Sequence, residues 1–169
     1  GSLDTLMYLI EERKCNPECP GRLSRLPLHN ACQKNGNLAM VKYLVEKHGC
    51  DLCKKDDDGE TPLNVAAFSG NLDILIYLIE ERKCSPVCPG RWGRSLLHQA
   101  CTKNGNLPMV KHLVEIHGLD LYYKDIHGQI PLDLATTWNN EPVIQYLSSR
   151  IGIDPTNIHF VSLLNGYLI

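Results

Sequence analysis

The stretch Glu60-Thr61-Pro62-Leu63-Asn64-Val65-Ala66-Ala67-Phe68-Ser69-Gly70-Asn71-Leu72-Asp73-Ile74-Leu75 reads as two short helices joined by a glycine turn. Thr61 can cap the first helix, and proline is tolerated at the first helical position that Pro62 would take. Ala66 and Ala67 are small enough to let a neighbouring helix approach closely. Gly70 can take the positive φ of a turn at no steric cost.

Working outward, the same pattern recurs. Leu3–Cys15 reappears as Leu72–Cys84 at an offset of 69 residues, and 42 of the 68 pairs from Leu3/Leu72 to Gly70/Asn139 are identical. A duplicated unit explains that density of matches. Within it lies a half-period: Pro27-Leu28-His29, Pro62-Leu63-Asn64, Leu96-Leu97-His98 and Pro131-Leu132-Asp133 are spaced by 35, 34 and 35 residues. Ser95 can cap its helix; Leu26 and Ile130 have no side-chain acceptor, which predicts weaker starts at those two. Gly36, Gly70 and Gly105 supply the turns. In the second helices, Leu38, Val41, Leu44, Val45 and Leu107, Val110, Leu113, Val114 recur at three- and four-residue steps, with Lys42, Glu46, Lys111 and Glu115 on the wet side. Such a helix pair buries its apolar face only by stacking on a neighbour.

The Thr61–Gly70 segment, its apolar second helix and the Gly-x-Asp variants such as Gly49-Cys50-Asp51 resemble the ankyrin repeat over Leu3 to about Arg150. The resemblance implies an all-α solenoid of stacked helix pairs with protruding β-hairpin loops. It divides the chain into a half-repeat at 3–24, repeats at 25–59, 60–93 and 94–128, and a last repeat at 129–150. Residues 151–169 form a C-terminal cap or tail, the cap being the favoured reading. Gly1-Ser2 reads as an expression scar. The implied function is a non-catalytic scaffold that binds a partner protein through hairpin tips and the concave face.

Composition narrows the alternatives. The 169 residues are 43% apolar, enough to support a core. Seventeen basic and nineteen acidic side chains give a net charge of −2, against a nucleic-acid surface. No apolar run is long enough to insert in a membrane. Eight cysteines without a leader in this sequence point to a reducing, intracellular setting: the cytoplasm, with the nucleus open.

Differences between the duplicates mark candidate contact residues. Leu23/Trp92, Gln33/Thr102, Asp57/Ile126, Asp58/His127, Glu60/Gln129 and Asn30/Gln99 differ. On the ankyrin pattern they fall on hairpin tips and the exposed side of the first helix, where the family binds partners. The candidate partner-binding set is Arg22, Arg25, Gln33, Asp57, Asp58, Glu60, Arg91, Trp92, Arg94, Gln99, Thr102, Ile126, His127 and Gln129. Trp92 leads it, because Trp and Arg are enriched at interface hot spots and arginines flank it. Tyr122 and Tyr123 replace Cys53 and Lys54 nearby. The bland alternatives are drift at exposed positions, Trp92 folded onto its own loop, and tip charges such as Arg25 and Asp57 paired with each other.

Cys32 and Cys101 read as buried small hydrophobes, and Cys15, Cys50 and Cys84 fill the alanine slot of Gly-Ala-Asp in the same way. Cys19, Cys53 and Cys88, paired with Cys15, Cys50 and Cys84, leave a cysteine-based metal or redox module as an alternative, since Cys-x2-Cys pairs are familiar zinc ligands; against it, each pair alone supplies only half a site and stacked repeats hold the pairs apart. The expectation is no metal and no cofactor. His29 and His98 occupy a slot whose side chain, by the resemblance, bonds to backbone between repeats. No nucleophile motif, phosphate loop or zinc-protease histidine pair is present, so no enzyme is expected. A self-assembling repeat element, associating through an open N-terminal face, is the other alternative.

Overall fold

The computed structural model describes residues 2–33, 36–102 and 106–154; Gly105 and all of the expected cap or tail beyond Asp154 lie outside the described residues. Two compact units follow one another, residues 1–85 and 86–169. The first contains α1 (Leu3–Met7), α2 (Pro27–Ala31), α3 (Leu38–Lys42), α4 (Pro62–Ser69) and α5 (Leu72–Ile76). The second contains α6 (Leu96–Ala100), α7 (Leu107–Glu115), α8 (Pro131–Thr137) and α9 (Glu141–Ile151).

In the first unit α2 packs on α3 and α4, α4 on α5, and α3 lies against both α1 and α5. In the second, α6 packs on α7 and α8, and α9 on α7 and α8. First helices thus meet first helices, and second helices meet second helices. Leu28, Leu44, Ile74, Leu75 and Leu78 are fully buried in the first unit, and Leu96, Leu97, Met109, Leu113 and Leu147 in the second. Along the second helices the Tyr43 and Tyr77 hydroxyls donate to Glu11 and Glu46 at 2.8 and 3.0 Å, and the Tyr146 hydroxyl to Glu115 at 3.0 Å.

Four of the five second helices, α1, α3, α5 and α7, stop in the same way. The N–H groups of Cys15, Cys50, Cys84 and Leu119 reach back to the carbonyls of Leu9, Leu44, Leu78 and Leu113 at 3.0–3.2 Å. The preceding residue is left-handed each time: Lys14, Gly49, Lys83 and Gly118. This closure satisfies carbonyls that a helix end leaves unpaired.

The described residues contain no β-strand, so the loops expected as β-hairpins are not strand-paired ones. Side-chain carboxylates take up their backbone donors instead. Asp51 accepts from the N–H of Cys53 and Asp120 from that of Tyr122, both at 2.8 Å. Cys15, expected to be buried, is exposed, whereas its counterpart Cys50 is buried. Cys84, expected to be buried in the same slot, is half-buried. Cys32 and Cys101 are fully buried, and burial pushes both thiols far up. Gly70 ends α4 in the left-handed region, φ 73°. Gly36 serves differently: a Cβ there would lie 2.2 Å from the Ala31 carbonyl oxygen and 3.0 Å from Ile74 Cδ1, so it permits close approach.

The starts at Leu26 and Ile130 are supported from inside the helix. The Leu26 N–H donates to His29 Nδ1 at 3.2 Å, and the Ile130 N–H to Asp133 Oδ2 at 2.8 Å. At Thr61 the pairing is reciprocal with Asn64, and the Ser95 N–H donates to His98 Nδ1 at 3.3 Å. Because each histidine accepts through Nδ1, its proton sits on Nε2. His29 Nε2 then donates to the carbonyls of Lys54 and Glu60 at 3.1 Å, and His98 Nε2 to that of Gln129 at 2.9 Å. One imidazole therefore ties a helix start to the next loop.

Two predictions follow from this arrangement. Burial is the largest influence on His29 and His98 and lowers both pKa values, against the pull of the carbonyls and nearby aspartates. The folded chain then binds fewer protons than the unfolded chain below about pH 6.5, so stability is full above that value and declines on acidification towards the folded pKa. Thermal melts between about pH 7.5 and about pH 5.5 will show a falling midpoint, and His29→Asn/His98→Asn, which copies Asn64, will flatten the fall. Gly36→Ala will destabilise by about 1–3 kcal/mol through overpacking, read by urea unfolding.

Candidate protein-binding site

Each unit carries one tip in which two loops meet. A short 3₁₀ turn, Arg22–Ser24 in the first unit and Arg91–Gly93 in the second, holds its middle residue in the left-handed region: Leu23 at φ 58° and Trp92 at φ 59°. The N–H of Gly21 donates to the Arg25 carbonyl and that of Gly90 to the Arg94 carbonyl, both at 2.9 Å, which closes each turn. The next loop is joined by one bond, from the Asp57 N–H to the Leu23 carbonyl or from the Ile126 N–H to the Trp92 carbonyl, each at 3.0 Å.

A buried aspartate organises both tips. Asp56 Oδ1 accepts from the N–H groups of Asp58 and Glu60 at 3.0 and 2.9 Å, and Oδ2 accepts from Arg25 Nε at 2.9 Å. Asp125 does the same with His127, Gln129 and Arg94 at 2.9, 3.0 and 3.2 Å. Burial alone would raise the Asp125 pKa; the two backbone donors and the Arg94 guanidinium outweigh it and hold the carboxyl below its ordinary value.

These bonds sort the candidate residues. Arg25 and Arg94 form ion pairs inside their tips, so the pairing of tip charges with each other is what these two do. Asp58 lies 3.9 Å from Arg25 Nη2, and the backbones of Glu60 and Gln129 are bonded within the tip and to His29 and His98. Gln99 and Thr102 do not have the exposure expected of them. The five residues of α6 are buried all round, and the Thr102 hydroxyl turns back to the Gln99 carbonyl at 2.8 Å. Arg22, Gln33, Asp57, Arg91, Trp92, Ile126 and His127 are exposed.

The exposed faces of the two tips differ. Trp92 is 41% and Ile126 69% exposed. The Arg91 and Arg94 guanidinium carbons lie 4.1 and 4.6 Å from the Trp92 ring centroid, and the His127 ring approaches it edge-on at 6.2 Å. Trp92 is thus partly folded onto its own tip and partly open to solvent. A Cβ on Gly93 would sit 3.2 Å from Ile126 Cγ2, so the glycine makes room for the isoleucine. The first tip has Leu23, Ser24 and Asp57 at these places. Tyr122 and Tyr123 are also exposed, the latter with its ring edge-on to His98.

Asp125 and Asp56 were the organisers that reading by differences passed over. Their signal was agreement: Arg25/Arg94 and Asp56/Asp125 are retained together in both copies.

Comparison with known proteins gives matches to "Ankyrin repeats (3 copies)" over residues 1–88 and to "Ankyrin repeats (many copies)" over residues 78–135. The Notch-regulated ankyrin repeat-containing protein of Homo sapiens is 47% identical over 81 residues, covering 48% of this chain and 69% of that protein. The 26S proteasome non-ATPase regulatory subunit 10 of Dictyostelium discoideum is 40% identical over 82 residues, 48% of this chain and 35% of that protein. Protein phosphatase 1 regulatory subunit 27 of Mus musculus is 38% identical over 79 residues, 47% of this chain and 50% of that protein. The chain thus spans about a third of the proteasome subunit and half of the phosphatase subunit. Among the described residues no helix is long and apolar enough to cross a membrane.

Asp125→Ala will leave two backbone donors and an arginine without their acceptor, costing about 2–3 kcal/mol in urea unfolding, whereas His127→Ala will cost less than about 0.5 kcal/mol.

Proposed function

Since the chain belongs to the ankyrin-repeat family, we propose that it is a non-catalytic protein-binding module whose partner docks on the tip of the second unit. The observation that carries this reading is the exposed Trp92–Ile126 surface on a bonded, preorganised loop pair. A partner burying it gains apolar area and an aromatic anchor without ordering the loop first, which lowers the entropic cost of association. Arg91 and His127 flank the apolar centre and supply polar contacts at its edge. The names of relatives that are regulatory subunits support a role in binding rather than catalysis.

The first tip supplies the test. Trp92→Leu/Ile126→Asp/His127→Asp gives the second tip the first tip's residues at these three places, with the Arg94–Asp125 pair untouched. Affinity capture from a native lysate, with circular dichroism as a fold control, will recover the partner with the parent chain and lose it with the variant. Equal recovery by both places the site elsewhere. Arg94→Glu is unsuitable, because it sets two carboxylates together in a buried pair.

A further inference from the structure

We infer that His112 and His117 form a binding site for a divalent first-row transition ion such as zinc. His112 lies on the last turn of α7, and His117 follows the helix end. The Ile116 N–H still bonds the His112 carbonyl at 3.0 Å, while the N–H groups of Gly118 and Leu119 close onto Val114 and Leu113. This closure folds His117 back over α7.

The two Nε2 atoms come to 3.3 Å, with ring centroids 5.0 Å apart and planes at 69°. Two imidazole nitrogens on one tetrahedral zinc, each at about 2.1 Å, stand about 3.4 Å apart. Rings aimed at such a shared point have centroids about 5.1–5.3 Å apart, against about 5.6 Å for rings aimed head-on across the same gap. The observed 5.0 Å is nearer the shared-point value than the head-on one. Both ligands sit on one closed helix end, so little ordering is needed on binding.

The duplicate provides an internal control. Tyr43 and His48 occupy the same two places in the first unit, with centroids 4.9 Å apart and planes at 69°. The backbone device is therefore common to both copies, and the change from tyrosine to histidine turns the second into a chelating pair. In the first copy the Tyr43 hydroxyl is engaged with Glu11, and His48 Nε2 is buried without a hydrogen-bond partner among the described residues.

The test is a zinc chloride titration of the whole chain, followed through imidazole ¹⁵N resonances because exposed Cys15, Cys19 and Cys53 also attract zinc. The expected result is a joint, saturable shift of the His112 and His117 Nε2 signals, with His48 unmoved. His112→Tyr, which copies the first unit, and independently His117→Gln, will weaken that binding at least about tenfold and abolish any zinc-induced rise in melting temperature. Zinc that leaves both resonances in place, or that binds the two variants as tightly as the parent, overturns the inference.

Discussion

The helices are too short to stand alone. Five of the nine helices among the described residues have five residues as regular α-helix, and an isolated helix below about 12–15 residues is marginal in water. Everything else follows from that constraint. Each helix must be held at its start, at its end and along its flank. The structure does this with an inward-facing residue at the third helical position, a six-residue closure at four of the five second-helix ends, and stacking on the next pair. Where one side chain serves two of these tasks, as His29 and His98 do, the local start of a helix and the position of the following loop become one equilibrium.

The repeat pattern was open to direct reading because it rests on spacing. Thr61-Pro62, Gly70 and the apolar steps of the second helices each carry their own physical reason, and the structure uses them as expected. The misreadings came from side chains whose partners are distant in sequence. Leu26 and Ile130 looked like poor starts because the acceptor comes from the third residue of the helix rather than from the cap. Gln99 and Thr102 look exposed on the repeat pattern, as their counterparts Asn30 and Gln33 are, but in the second unit both are buried. Arg25 and Arg94 looked available for the same reason: the aspartate that takes each lies 31 residues onward.

Duplication also separates what the fold needs from what one copy has acquired. Both tips retain the arginine–aspartate pair, the left-handed middle residue and the cross-loop bond, although leucine replaces tryptophan and aspartate replaces isoleucine. These substitutions change the face shown to solvent and leave the frame in place. Gly93 illustrates the coupling, since its missing Cβ is the space into which Ile126 settles. Surface change here came with a matching change beneath it.

The buried thiols carry one last consequence. Cys32 sits in the first unit and Cys101 in the second, each fully enclosed and held as the protonated thiol. Reaction with an alkylating reagent needs solvent access and a thiolate, and the native fold withholds both. Each cysteine is therefore a native clock for its own half of the chain, ticking only when that half opens. Alkylation at Cys32 and Cys101 thus reads opening around each of these two sites, against the reaction of exposed Cys15, Cys19 and Cys53.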